Sequence, residues 1–373
     1  EQAVQMISQS KKPLLFVGGG AVISDAWQEV RELAHRIQAP VCDSLMGKGA
    51  FSGEDDLYTG PVGMHGTKTS NYAMCECDLL IALGTRFSDR VTGNTQTFAP
   101  NAKIIRFDVD EGELDYSVHQ DEIKCCVGMQ ETVQALKIIE KTCTSDYSKW
   151  IDICNEIREK LETVDQSRTG KIVEALSKKF PEDVLITTDV GQNQVWVAQS
   201  VQLKKGQQVL FSGGHGAMGY SLPAAIGAYY ASKSPVICIS GDGGMQMNIQ
   251  ELQYIARESL PIKIVVLNND ALGMIRHFQE MYFNGNYYQT KPSGGYSAPD
   301  FSKVSEAYGI RNIQINMEEI PDEIPELYDQ DPFLMEILIN EDTYVFPKLE
   351  FGKPNQDQEP LLDRKLYNEL MNL

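Results

Sequence analysis

Apolar residues along this chain fall into short unbroken runs, separated by stretches in which they recur every three or four positions. The unbroken runs predict strands buried on both faces, and the recurring positions predict amphipathic helices. In the first block, strands are expected at 14–17, 40–43, 79–83 and 103–108. They alternate with helices near 26–37, 69–75 and 131–142. In the second block, helices are expected at 170–178, 223–231 and 247–257, among strands at 184–188, 209–212, 236–240, 262–267, 311–315 and 334–339. Pro223 falls in the first turn of its helix, where a missing N–H is harmless. Such alternation predicts an α/β protein of two doubly wound, parallel-sheet domains. The expected limits are a first domain at 1–145, a polar helical linker at 146–165, a second domain at 166–345 and a tail at 346–373. The tail has no clear periodicity and reads as a lid over a site or as a surface arm.

Composition narrows the partners. The chain has 373 residues, 42% of them hydrophobic, which is ample for two cores. Its formal net charge of −19 argues against nucleic acid and anionic membrane. Part of that charge is local, because acidic residues strongly outnumber basic ones from Met317 onward. The eight cysteines have no framework spacing. Cys75/Cys77 and Cys125/Cys126 lie too close for ordinary disulfides or a standard zinc site, so reduced thiols are expected. With no signal-peptide pattern and no apolar run near 18 residues, the expectation is a soluble, cytoplasmic protein.

The chemistry concentrates at strand ends. Gly241-Asp242-Gly243 follows the strand at 236–240, and Asn268-Asn269 follows the strand at 262–267. Together they bring two hard oxygen ligands to one sheet edge, which suits Mg2+ or Ca2+ and, with Mg2+, a diphosphate. The N-terminus of the helix at 247–257 favours an anion nearby. Gly214-His215-Gly216-Ala217-Met218-Gly219 matches G-x-G-x-x-G. It reads as a dinucleotide fingerprint, as a plain glycine turn, or as a loop holding Met218 against a flat cofactor. The acidic residue that a dinucleotide fold needs is not cleanly present; Asp242 is the nearest candidate. In the first block, Gly18-Gly19-Gly20, Met64-His65-Gly66 and the run from Gly84 to Arg90 also end strands. Arg86 and Arg90 fit either a nucleotide diphosphate or surface ion pairs. Asp108 is placed to accept from a ribose hydroxyl. A lone His such as His65 or His277 is more often structural than a ligand.

Taken together, these segments resemble the thiamine-diphosphate-dependent enzymes, most closely the large subunits of acetohydroxyacid (acetolactate) synthase, to about Asn340. The resemblance implies Mg2+ on Asp242, Asn269 and the backbone carbonyl of Ala271. It places Gly241, Gly243, Gly244 and Gly273 against the coenzyme. Residues 212–227, SGGHGAMGYSLPAAIG, resemble the stretch that sets Gly216, Ala217 and Met218 under the thiazolium, with Met218 as the wedge that bends the coenzyme. VGQNQVW at 190–196 resembles the stretch that reaches the diphosphate through Gly191, Gln192 and Asn193. Met274 and Phe278 match acceptor-pocket positions.

GMHGT at 63–67 and GTRFSDRVTG at 84–93 resemble the middle domain, which binds FAD. That implies contacts from Gly18, Gly19, Ser44, Leu45, Met46, Gly63, Met64, His65, Gly84, Arg86, Arg90, Val91, Asp108 and Val109. In these synthases the flavin is largely structural. The implied reaction is decarboxylation of pyruvate and transfer of the hydroxyethyl unit to a second 2-keto acid, in branched-chain amino acid biosynthesis. The implied assembly is a homodimer or homotetramer, with or without a small regulatory subunit.

Five departures qualify this expectation. The pyrimidine-binding domain that carries the catalytic glutamate has no counterpart in these residues, so the chain alone is expected to be inactive. His277-Phe278-Gln279 replaces Gln-Trp-Gln, which opens the choice of acceptor. Gly128-Met129-Gln130 replaces Gly-Asp-Ala at a flavin contact. His215 and the tail also differ from the pattern. The alternatives are a related decarboxylase or carboligase with a different acceptor, and a non-catalytic nucleotide-binding fragment.

Overall fold

A computed structural model describes every residue except Gln120, Glu162, Thr163, Asp165, Gln166, Lys205 and Phe351, and gives only the backbone at Met129 and Gln130. The chain divides into two compact units. The first comprises Glu1–Ser167 with Phe346–Leu373, and the second is Arg168–Val345. Each is built on a six-stranded parallel sheet with helices, so the protein is α/β.

The first unit runs α1 (Gln2–Gln9), β1 (Pro13–Val17), α2 (Gly19–Ile23), α3 (Trp27–Ile37), β2 (Val41–Asp43), β3 (Tyr58–Pro61), α4 (Lys68–Glu76), β4 (Leu79–Leu83) and α5 (Asp89–Thr92). It continues with β5 (Lys103–Asp108), α6 (Glu111–Asp115), β6 (Glu122–Cys126), α7 (Met129–Thr142) and α8 (Ser148–Leu161). The sheet order is β3-β2-β1-β4-β5-β6. The chain reverses direction across the sheet between β1 and β4, where α/β folds open a ligand crevice at the carboxyl strand ends. Strands β1, β2 and β4 are buried along their whole length, as covered parallel strands must be.

Residues 146–165, expected as a polar helical linker, contain the helix α8, which packs within the first unit. Its Trp150, Ile151 and Cys154 belong to the first core, and Tyr147 precedes them. These positions form one helical stripe, which the polar opposite face obscures in sequence. The expected tail also belongs to the first unit. Leu349 N–H donates to the Met64 carbonyl (2.8 Å), and Lys348 and Glu359 form an antiparallel bridge. Leu362 and Leu370 pack with Tyr72, Ile157 and Leu161.

The second unit runs α9 (Arg168–Ser177), β7 (Leu185–Thr188), α10 (Gln192–Ser200), β8 (Gln208–Phe211), α11 (Ser221–Ser232), β9 (Val236–Gly241), α12 (Asp242–Met247) and α13 (Glu251–Arg257). Then come β10 (Ile262–Asn268), α14 (Gly273–Tyr282), α15 (Phe301–Ala307), β11 (Arg311–Asn316) and β12 (Phe333–Leu338). A last helix, α16 (Arg364–Leu370), lies in the tail. The sheet order is β11-β12-β10-β9-β7-β8, so the reversal falls between β7 and β9. Thr188 pairs with Ile239 and Leu267 with Gly241, which sets Asp189, Asp242 and Asn269 along one edge. The helix expected at 247–257 is α13, which starts later, at Glu251, and a separate short helix, α12, precedes it from Asp242. Asn248 leaves the helical conformation and spends its side-chain amide on the Gly219 carbonyl (2.7 Å). All eight cysteines are free. Among the described residues no helix is long and apolar enough to cross a membrane.

Candidate functional site

The switch point of the second unit gathers oxygen atoms. Asp242, 2% exposed, opens α12 directly after β9. Its Oδ2 accepts from the Ala271 N–H (3.0 Å) and the Tyr296 hydroxyl (2.9 Å). The Asn269 side-chain oxygen stands 3.2 Å from Asp242 Oδ1 and 3.0 Å from the Ala271 carbonyl oxygen. Three acceptors thus face one another with no hydrogen between them. Turning the Asn269 amide over would place donors there, but it would set the amide oxygen against Gln192 Oε1. That oxygen now accepts from Asn269 Nδ2 (2.9 Å), while Gln192 Nε2 donates to the Thr343 carbonyl (2.8 Å). The chain in which Asn269 donates to Gln192 and Gln192 donates to the Thr343 carbonyl therefore holds the amide oxygen toward Asp242.

An octahedral Mg2+ with ligands at about 2.1 Å spaces neighbouring oxygens about 3.0 Å apart, so the set fits that ion. Burial pushes the Asp242 carboxyl up to about 6, against the pull of Tyr296 and the backbone N–H groups of Gly243 and Ala271. A cation here would relieve that penalty. Among the described residues no three His, Cys, Asp or Glu side chains form a metal cluster; this site uses one carboxylate, an amide and a carbonyl. The other half of the asparagine pair points away. Asn268 Nδ2 donates to buried Glu336 (2.7 Å), and its Oδ1 accepts from Asp270 N–H (2.9 Å).

Beside the oxygens lies the first turn of α12, whose N–H groups have no intrahelical acceptor and suit an anion. Gly243 is the residue that fits there: a Cβ on it would stand 2.6 Å from Leu272 Cδ2 and 3.1 Å from Met218 Cε. The structure thus brings Met218 to α12, although the two are far apart in sequence. Gly241 and Gly244 flank the same turn, and Gly273 begins α14 against Gln192. Gly191, Gln192 and Asn193 start α10, where Asn193 Nδ2 donates to the Asp189 carbonyl (2.6 Å). Gln192 and Asn193 therefore brace neighbouring groups. Gly216 and Ala217 lie in the open part of the loop, where Ala217 N–H donates to Ser212 Oγ (3.2 Å).

Asp189 is the site residue that sequence reasoning missed. Fully buried at the end of β7, it accepts from Val190 N–H (3.0 Å) and Gly219 N–H (2.9 Å) on Oδ1 and from Ser221 N–H (2.8 Å) on Oδ2. Its sequence signal, an acid directly after a strand and before Val190-Gly191, is weak by itself. This geometry also answers the G-x-G-x-x-G reading. The glycines precede α11 in a loop tied to Asp189, and Asp242 is committed to the oxygen set.

Met274 and Phe278 sit on α14 and line an apolar cavity of about 590 Å³ with Ile275, Phe283 and Tyr288. His277, on the same helix, is buried edge-on against Tyr344 with ring centroids 4.7 Å apart.

In the first unit, the strand ends bring Gly18, Ser44, Gly84 and Asp108 to one edge, through Gly18 N–H to Leu83 O (2.9 Å), Ser44 N–H to Val17 O (2.9 Å) and Gly84 N–H to Phe107 O (2.8 Å). A Cβ on Gly18 would lie 2.1 Å from the Gly84 carbonyl oxygen, so the two loops close only over glycine. Gly19 abuts Met46, beside Leu45. Met64 N–H donates to the Arg90 carbonyl (2.7 Å), which joins the Gly63–His65 loop to Arg90 and Val91. Arg86 is exposed and paired with Glu113 (2.8 Å), and Val109 is exposed beyond Asp108. The side chains of Met129 and Gln130, at the departure from the expected pattern, lie outside the described residues.

A parallel sheet that brings a helix N-terminus, a carboxylate–amide–carbonyl oxygen set and a methionine loop to one switch point has the build of a coenzyme-binding domain. Comparison with known proteins places it more closely. A family model described as thiamine pyrophosphate enzyme, central domain, matches residues 1–136, and one described as thiamine pyrophosphate enzyme, C-terminal TPP binding domain, matches residues 189–337. The chain belongs to the thiamine pyrophosphate enzyme family. It is 39% identical over 364 residues to an acetolactate synthase large subunit of Pyropia yezoensis, covering 95% of this chain and 61% of the relative. It is 37% identical over 365 residues to the acetolactate synthase isozyme 2 large subunit of Escherichia coli K12, covering 96% and 65%. Against the acetolactate synthase large subunit of Corynebacterium glutamicum it is 38% identical over 372 residues, covering 96% and 59%. The chain thus spans about three-fifths of the length of these relatives.

Proposed function

We propose that this chain is part of an acetolactate synthase-like carboligase. It would decarboxylate pyruvate and join the remaining two-carbon unit to a second 2-keto acid. The observation that carries the proposal is the convergence of Asp242, Asn269 and the Ala271 carbonyl beside Met218 and Gly243. Asp242 Oδ1, Asn269 Oδ1 and the Ala271 carbonyl would hold Mg2+, whose charge would offset that of a diphosphate near the first turn of α12. When bound, thiamine diphosphate supplies the electron sink for decarboxylation.

The residues of the chain supply position. Met218, pressed toward Gly243, would set the bend of the coenzyme, and the N–H groups of α12 would meet phosphate oxygens. The apolar wall of Met274 and Phe278 would exclude water and receive the acceptor. The resemblance assigns the glutamate that activates the coenzyme to no residue of this chain, so turnover would depend on one supplied outside these 373 residues. The first-unit edge around Gly18, Gly84, Arg90 and Asp108 would hold FAD as a structural group. Assembly as a homodimer or homotetramer, and a cytoplasmic location consistent with eight free cysteines, complete the reading.

Acetolactate formation by the whole protein from pyruvate, with Mg2+ and thiamine diphosphate, tests it. Formation that needs both cofactors supports the reading, and none under those conditions contradicts it. A flavin absorbance band in the purified protein tests the first-unit assignment.

A second reading keeps the coenzyme chemistry and changes the acceptor. Phe278 in the cavity wall, where the resemblance expects Trp, favours it, and a screen of 2-keto acid and aldehyde acceptors separates the two.

A further inference from the structure

Asp189 does something that neither the oxygen set nor the cavity explains. Its backbone is locked on both sides, with Asp189 N–H donating to Ile239 O (2.9 Å) and the Asp189 carbonyl accepting from Asn193 Nδ2 (2.6 Å). Its carboxylate reaches out of β7 to residues 30 and 32 positions later, accepting from Gly219 N–H and Ser221 N–H. Those donors sit at the exit of the Met218 loop and at the first residue of α11. On its other side the same carboxylate backs α12, where a Cβ on Gly244 would fall 2.3 Å from Asp189 Oδ1. One side chain therefore sets the spacing between the Met218 loop and the α12 turn.

The loop needs such a tie. Gly213, Gly214 and His215 are exposed, and Gly216 is left-handed with nothing within 4 Å of its Cβ position. Glycine-rich backbone of this kind has many conformations to lose when it is ordered. Ser212 Oγ on Ala217 N–H and Asn248 Nδ2 on the Gly219 carbonyl also anchor it. Asp189, directly after β7, joins the loop to the strand that bounds the switch point through two backbone N–H groups, Gly219 and Ser221, and Thr187 Oγ1 on that strand adds one bond to the Ser221 carbonyl (3.1 Å).

We infer that Asp189 is a positioning residue that orders the Met218 loop before the coenzyme arrives, so that the wedge is already formed. The part of this inference that concerns coenzyme rests on the thiamine diphosphate reading above; the ordering of the loop does not. The substitution that isolates it is Asp189→Asn. It keeps the size that Gly244 requires and turns one acceptor into a donor that opposes a backbone N–H.

The test uses the full chain. Hydrogen exchange without ligand should show Gly219 and Ser221 amides at least tenfold faster in Asp189→Asn, with the β9 and β10 amides unchanged. Titration should show Mg2+–thiamine diphosphate binding weakened at least tenfold, while Mg2+–pyrophosphate, which uses only the oxygen set and α12, changes less than twofold. Adding Met218→Ala to Asp189→Asn should weaken coenzyme binding less than twofold further. A general loss of structure would weaken both ligands alike and would overturn the inference, as would unchanged exchange at Gly219 and Ser221. If Asp189→Asn does not fold, the wild-type exchange decides. Gly219 and Ser221 amides as fast as that of exposed Gly214 overturn the inference, and strong protection at both supports it. Wild-type protein that binds no coenzyme would sink the thiamine reading alone, because the exchange arm still judges Asp189.

Discussion

The side-chain oxygen of Asn269 lies 3.2 Å from Asp242 Oδ1, acceptor facing acceptor. The arrangement persists because Gln192 takes the Asn269 amide nitrogen (2.9 Å). Gln192→Ala should release that amide to turn over and donate to Asp242 and the Ala271 carbonyl. Outer partners of metal ligands typically change affinity roughly 10–100-fold, and a loss of that size in Mg2+ affinity is expected here. Titrating Mg2+ at fixed thiamine diphosphate measures it, and an unchanged midpoint would count against the oxygen set as a cation site.

The core strands were legible in the sequence and the site only partly. β1, β4, β9 and β10 are covered on both faces, so they read as unbroken apolar runs. β3 and β6 are outer strands, and Glu122–Cys126 has no fully buried residue, so no such run marks it. α10 escaped notice for another reason. Gln192, Asn193 and Gln194 are buried polar residues, and Gln192 and Asn193 have their amides satisfied within the site, so the helix lacks a polar face. Asp189 was illegible because its partners Gly219 and Ser221 come beside it only through the fold.

The first unit carries a buried acid that makes its stability depend on pH. Asp43 is 1% exposed at the end of β2 and accepts from the Tyr58 hydroxyl (2.8 Å). Burial pushes its carboxyl up to about 6, with Lys48 and Tyr58 pulling the other way. The folded state therefore holds this proton more tightly than the unfolded state. Stability at this site should fall as pH rises from about 4 to about 6 and then level off, by up to about 3 kcal/mol. Denaturant unfolding of wild type and Asp43→Asn across that range checks it. The variant should gain relative stability as pH rises, and parallel curves would contradict the assignment.

The tail is held to the first unit through buried polar groups. Lys68, fully buried, donates to the carbonyls of Gln358 (2.6 Å) and Pro360 (2.9 Å), and Gln358 Nε2 donates to the Gly66 carbonyl (2.9 Å). Lys68→Met should strand those carbonyls and destabilise the first unit by about 2–4 kcal/mol. Limited proteolysis should then cut within 346–373 before the strands are lost. Resistance equal to wild type would mean that the tail is anchored by its leucines alone.

The first-unit edge closes over a glycine. Gly18→Ala would place a methyl group 2.1 Å from the Gly84 carbonyl oxygen and force the two loops apart. The expected effect is a loss of about 2–4 kcal/mol and, if the edge holds FAD, release of flavin. Thermal unfolding and the visible spectrum of the purified variant report the two effects separately.

The most direct test of the coenzyme site is calorimetric titration of the chain with thiamine diphosphate, with and without Mg2+, on wild type and Asp242→Asn. The expected result is saturable binding by the wild type that requires Mg2+ and is lost in Asp242→Asn. Binding that is indifferent to both Mg2+ and Asp242 would contradict the central claim that this sheet edge holds a diphosphate through a metal.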